Sequence, residues 1–131
     1  MELTKHKIEQ AITLSQAFSN YLTASYDKLP FVITAPQLSA FTETMRTIDA
    51  SQEGGALKSF LDSLSLVGLR ELQAIMFIGR GDFPAKEFTR AFEASRLSGN
   101  RNNEASYIMH KMTAPDYLAD GFEKLNKARM I

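Results

Sequence analysis

The apolar positions of this chain recur mostly at helical spacing. Ile8, Ala11, Ile12, Phe18 and Leu22 mark one face of a helix over residues 4–25. Leu38, Phe41, Met45 and Ile48 form a narrow stripe of the kind one helix presents to another. Leu57, Phe60, Leu61 and Leu64 predict a short third helix. Over residues 66–78, Leu69, Leu72, Ile75 and Met76 share a face, and Phe77 and Ile78 widen the apolar arc almost to the full circumference. Such a helix is expected to be enclosed by its neighbours. Phe88, Ala91, Phe92 and Ser95 predict the buried face of a further helix, with Pro84 in its first turn, where a missing N–H is no loss. Ala105, Ile108, Met109 and Met112 predict another, and Tyr117, Leu118, Phe122 and Leu125 the last, starting at Pro115.

Polar residues set the expected boundaries. Thr4 suits an N-cap with Leu3 and Ile8 as a hydrophobic staple; Thr34 repeats the design with Gln37 and an Ile33–Leu38 staple. Thr113 repeats it again with Asp116 and a Met112–Tyr117 staple, so helix starts are expected near 5, 35 and 114. Ser65 caps the apolar helix. Ser51-Gln52-Glu53-Gly54-Gly55 is expected to break the chain as a hinge, because paired glycines sustain a helix poorly. Residues 27–33 suggest an extended connector, since Pro30 disfavours a central strand, and residues 98–103 a loop. The fold class that follows is all-α: a single compact domain, residues 1–131, of six or seven short helices around the apolar helix at 66–78.

Composition narrows the function classes. At 131 residues the chain has the size of one domain, with ordinary hydrophobic (44%) and charged (23%) fractions. Lys plus Arg equals Asp plus Glu at 15 each, so no global field favours nucleic acid or an anionic membrane. Arg96, Arg101, Lys111, Lys124, Lys127 and Arg129 concentrate in the C-terminal third, but acidic residues are interleaved with them. The absence of cysteine removes disulfides, thiolate metal sites and a cysteine nucleophile. No signal-peptide pattern and no apolar run of about 20 residues is present, which makes the cytoplasm the expected compartment and membrane association unexpected.

Candidate chemistry centres on Gly79-Arg80-Gly81-Asp82. Gly79 is expected to stop the apolar helix with a positive φ, and Asp82 to cap the next one. Arg80 is expected to bond the last carbonyls of the helix or a nearby carboxylate. The alternative is an anion held by exposed N–H groups beside Arg80. Gly121 lies inside the last helix, where glycine costs roughly 1 kcal/mol relative to alanine; close approach of another backbone would offset that. The central helix or its glycine turn is the expected neighbour, which would bring Asp116, Tyr117 and Asp120 towards Arg80. His6 and His110 form no metal motif, and His110 suits the C-terminal end of its helix. Asp116, Asp120 and Glu123 share a surface, but Asp120–Lys124 and Glu123–Lys127 have the spacing of surface ion pairs, as do Glu87–Arg90 and Glu93–Arg96. No metal, no cofactor and no catalytic residue is expected.

Leu61 to Phe122 resembles a family of small uncharacterised bacterial proteins in which a helix ends in Trp-aliphatic-Gly-Arg-Gly-Asp. Phe77, Ile78, Gly79, Arg80, Gly81 and Asp82 stand at those positions here, with Phe77 in place of the tryptophan. Asn102, Asn103, Tyr107 and Ile108 match an Asn-rich turn and a Tyr-aliphatic pair; Asp116, Tyr117, Leu118 and Gly121 match Asp-Tyr-Leu-x-x-Gly. The family-like core is about 56–126, and residues 27–50 are particular to this chain. The resemblance implies an intracellular bacterial setting and a grouping of Arg80, Asp82 and Tyr117, but no activity. The resulting expectation is a small cytoplasmic protein-interaction or accessory module, with a protein partner or a homo-oligomer. The Leu38–Ile48 stripe and residues 29–33 are its expected contact surfaces. The alternative is a small-anion-binding protein or an enzyme using Arg80, Asp82, Tyr107, Tyr117 and Asp120, with Gly79, Gly81 and Gly121 shaping the turn; an enzyme is the weaker reading.

Overall fold

A computed structural model describes residues 1–26, 46–47, 51–95 and 100–131. The connector at 27–33, the Thr34 cap, the Leu38–Ile48 stripe, Arg96 with its pair to Glu93, and the Ser98–Gly99 part of the expected loop lie outside the described residues.

The described residues form α1 (Lys5–Tyr26), α2 (Gln52–Asp62), α3 (Leu66–Arg80), a 3-10 turn (Ala85–Glu87), α4 (Phe88–Ala94), α5 (Arg101–His110) and α6 (Ala114–Lys127), with no strand among them. The all-α class is the expected one. Thr4 begins α1: its hydroxyl accepts from Lys7 N at 3.2 Å, and Leu3 and Ile8 are both buried. Along α1 the buried positions are Ile8, Ala11, Ser15, Phe18 and Leu22, alternately three and four apart, and this seam faces α2 and α6.

Central α3 packs chiefly on α6, with α4 and α5 also against it. Residues 71–76 are buried without interruption, which is more than a full helical turn, so α3 is enclosed on every side. Leu69, Leu72, Ile75 and Ile78 are fully buried, each worth roughly 1.5–3 kcal/mol of transfer free energy. The enclosure extends to two polar side chains. Glu71, 3% exposed, accepts from the backbone N–H groups of Glu2 (2.9 Å) and Leu3 (3.0 Å), tying the start of the chain to the central helix. Gln73 donates to buried Glu104 of α5.

Several expected boundaries are corrected. Ser51 is the N-cap of α2 rather than part of a hinge. Its hydroxyl accepts from Gly54 N at 3.0 Å, and Gly54 and Gly55 lie in the first helical turn. The cap and the burial of Leu57 and Leu61 outweigh about 1 kcal/mol of helix propensity lost per glycine. Asn100 likewise caps α5, accepting from Asn102 N (2.9 Å) and Asn103 N (3.2 Å), so residues 101–103 are helical rather than loop. The last helix starts at Ala114, but Thr113 makes no side-chain cap bond, and Met112, 43% exposed, is no staple. Pro84 precedes a 3-10 turn, and Phe88 and Phe92 are half-buried while Ala91 and Ser95 are buried.

Glu71 also gives the fold a pH dependence. Burial raises its pKa above the ordinary 4.5, against the lowering effect of the two backbone N–H bonds. A raised carboxyl pKa means that the native state binds the proton more tightly than the unfolded state. This group's contribution therefore falls as pH rises from about 4.5 through the raised native value, and is level above it. Glu71→Gln has no such titration. The stability of wild type relative to Glu71→Gln should fall as pH rises above the ordinary 4.5 and level off above the raised native value; denaturant midpoints measure this, and a gap independent of pH would contradict it.

Candidate functional site

The site is built on the end of α3. Gly79, expected to stop the helix, lies inside it; α3 runs on to Arg80, and Gly81 holds the left-handed conformation at φ 93°. Gly81 N donates to Ile78 O (3.1 Å) and Asp82 N to Phe77 O (3.0 Å), the paired bonds of a Schellman stop. Gly79 is glycine for another reason. A Cβ there would lie 1.9 Å from the Tyr117 carbonyl oxygen of α6, and a Cβ on Gly121 would lie 2.0 Å from the Ile75 carbonyl oxygen of α3. Two helix backbones therefore touch through their glycines.

Lys124 seals this crossing. Its ammonium donates to Ile78 O (3.1 Å), which also accepts from Gly81 N, and to Gly79 O (3.3 Å), both at the carbonyl end of α3. The expected Asp120–Lys124 pair gives way to this contact, because the carbonyl end of a helix attracts a cation and also lacks donors. Glu123 and Lys127 do pair, at 2.9 Å, which lowers the Glu123 pKa and raises that of Lys127. Arg101 performs the sealing role for α2. It donates from Nη2 to Leu61 O (2.7 Å) and Leu64 O (2.7 Å), and from Nε to Leu64 O (3.0 Å). The basic C-terminal third thus contributes cations to helix ends.

Around the Gly81 turn the side chains form an aromatic and charged group. Asp82, expected to cap the next helix, instead accepts from both Nε (2.7 Å) and Nη2 of Arg80 through one oxygen, Oδ2. That contact raises the Arg80 pKa, with smaller contributions from Tyr107 and Tyr117. The Arg80 guanidinium lies 5.2 Å from the Phe77 ring, and Phe77 stands 6.4 Å from Phe83. Arg90 lies 5.9 Å from the Phe83 ring and bonds Glu87 at 2.7 Å. Lys111 lies 5.5 Å from the Tyr107 ring.

Of the expected site residues, Arg80 and Asp82 are in direct contact, and Tyr107 and Tyr117 come within electrostatic reach of Arg80. Asp120 is exposed on α6, and the carboxylate that bonds Arg80 is that of Asp82. Sequence reasoning missed the contributions of Phe77, Phe83 and Lys111. The three-residue spacing of Phe77 and Arg80 on one helix was a usable signal for the first; the others are brought in by tertiary packing.

Elsewhere, a cleft of about 360 Å³ is lined by Leu61, Ala105 and Met109 together with Lys58, Asp62 and His110. Lys58 bonds Asp62 at 2.7 Å, and Lys58 and then Arg101 hold the Asp62 pKa below its ordinary value. His110 Nδ1 lies 3.0 Å from Ser106 O. Among the described residues, no three or more His, Cys, Asp or Glu side chains stand together as a metal site, and no helix is long and apolar enough to cross a membrane.

A family model described as "Protein of unknown function (DUF3775)" matches residues 55–127, more than half of the chain. The chain belongs to this family. The DUF3775 match spans most of α2 and the whole of α3 to α6, and so includes the glycine crossing, both carbonyl seals and the Arg80 group; α1 precedes it. No curated protein and no solved structure matches the chain.

Proposed function

We propose that this DUF3775 protein is a small cytoplasmic protein-interaction module, in the intracellular bacterial setting its motifs imply, and that the end of α3 is its contact surface. The observation carrying this is the make-up of that surface. Phe77, Phe83, Tyr107 and Tyr117 are half-buried and flanked by Arg80, Arg90 and Lys111. Rings held partly open beside arginines are the residue types that dominate binding energy at protein interfaces. The anion-binding alternative is less favoured, because Asp82 already occupies Arg80 as an anionic ligand would.

Affinity capture from the native host tests the reading. A protein retained by the wild type should be reduced about tenfold or more by Arg90→Glu, and kept by Lys5→Glu, at an exposed position of α1, as a control. Retention unchanged by Arg90→Glu would defeat the proposal.

A further inference from the structure

The cleft between α2 and α5 is where the apolar core comes nearest to solvent. Leu61, Ala105 and Met109 line it, and Ala105 and Met109 have the greatest exposure among the buried apolar side chains described. Its volume, about 360 Å³, lies at the lower end of the range for small-molecule pockets, about 300–1,000 Å³. Such pockets combine an apolar lining with a few polar groups that orient the ligand. Here Lys58 of α2 supplies an ammonium, and Asn102 and Ser106 of α5 supply an amide and a hydroxyl.

The charges beside the cleft set the class of ligand. Asp62 meets a different cation at each oxygen, Lys58 at Oδ2 (2.7 Å) and Arg101 at Oδ1 (3.6 Å). Two cations against one carboxylate leave a single positive charge. Arg101 has Nε and Nη2 committed to Leu61 O and Leu64 O, so the charge open to a ligand is that of Lys58. Its ammonium carries three N–H groups, and the side chain is 63% exposed. Glu104, the acidic residue of α5, is buried and turned to Gln73.

We propose that this cleft binds a small monocarboxylate with an apolar tail. The tail lies on Leu61, Ala105 and Met109, and the carboxylate accepts from Lys58, which keeps its bond to Asp62. A cationic ligand of the same shape meets Lys58 and Arg101 and is repelled; a neutral one gains the floor but not the ammonium. The site is separate from the surface assigned above to a protein partner, since none of its lining residues belongs to the Arg80 group.

Octanoate is the probe, with 1-octanol and octylammonium as its neutral and cationic counterparts, each followed by amide chemical shifts in two-dimensional NMR spectra. Titration to about 5 mM covers dissociation constants near 1 mM. Octanoate should shift the amides of Lys58, Ala105, Ser106 and Met109 to saturation, 1-octanol should bind more weakly, and octylammonium most weakly of the three. Lys58→Met should weaken octanoate about fivefold, the upper range for an exposed ion pair, and leave 1-octanol unchanged, whereas Lys58→Arg should retain octanoate. Ala105→Leu, which fills the floor, should weaken octanoate and 1-octanol alike. Circular dichroism checks the variants; if Ala105→Leu does not fold, the two substitutions at exposed Lys58 carry the test alone.

An octanoate titration that leaves these amides unshifted, octylammonium binding as tightly as octanoate, or an octanoate affinity unchanged in Lys58→Met would each overturn the proposal. Equal affinities for 1-octanol and octanoate would also overturn it, by showing an apolar cleft that does not select a carboxylate. Capture of a protein partner and its loss in Arg90→Glu are read separately, so either reading can fail without the other.

Discussion

Gly121→Ala is expected to lower the melting temperature by about 10 °C or more. The added Cβ meets the Ile75 carbonyl oxygen at 2.0 Å and the Ile75 carbonyl carbon at 2.9 Å, and backbone cannot step aside as a flexible side chain can. The helices must separate, loosening the most extensive packing among the described helices. Overpacking of this kind costs about 3 kcal/mol, and a domain of this size loses roughly 4 °C per kcal/mol. Gly79→Ala should behave alike, since its Cβ meets Tyr117 O at 1.9 Å. The double variant should be less damaging than the sum, because helices already pushed apart by one Cβ meet the second with less overlap. Gly55→Ala is the control with opposite sign. Nothing lies within 4 Å of its Cβ, and the position is helical, so stability should rise by roughly 0.5–1 kcal/mol. Thermal melts of the wild type and the four variants settle the matter; an unchanged midpoint for Gly121→Ala would refute the close crossing.

Arg101→Met should cost about 2 kcal/mol, far more than an ordinary surface substitution. Arg101 is the donor to Leu61 O and Leu64 O at the point where α2 ends and α3 begins. Bonds from a charged donor are worth about 1.5–3 kcal/mol each. Water reaches a side chain that is 33% exposed and takes over part of the lost bonding, hence the lower total. Arg101→Lys should recover only part of the loss, because an ammonium is a single point and cannot reproduce the forked approach to both carbonyls. Urea midpoints of the three proteins measure it. A change for Arg101→Met within about 0.5 kcal/mol, the range of ordinary surface positions, would remove Arg101 from the structural account.

The fold class was legible because burial and helical period coincide along α1 and α3. Ile8, Phe18, Leu72 and Ile75 are apolar, correctly spaced and buried. Where sequence reasoning went astray, a distant group decided the outcome. Gly79, the first glycine after the apolar run, read as the stop of α3; the carbonyl of Tyr117, on another helix, requires it inside the helix, and the stop falls at Gly81. Lys124 read as the partner of Asp120, since spacing along one helix is visible and the nearby carbonyls of Ile78 and Gly79 on another helix are not. Arg101 read as one cation among several in a loop, because its acceptors are main-chain oxygens, which every residue carries. Of the candidate site, the Arg80–Asp82 contact is local and was within reach of sequence. Tyr107 entered the reading only by resemblance, and the Phe77–Phe83 contact had no sequence signature.

Lys124 and Ile78 are 46 residues apart along the chain, yet their contact helps close the central helix. On a ribosome adding about 5–20 residues per second, the end of α3 is made roughly 2–9 s before the segment that covers it. Throughout that interval the most apolar helix of the protein has one face bare to solvent, waiting for α6. Aggregation of nascent or C-terminally shortened chains should therefore be governed by the arrival of residues 114–127, and a chaperone that shields the α3 face should bind before release and let go after it.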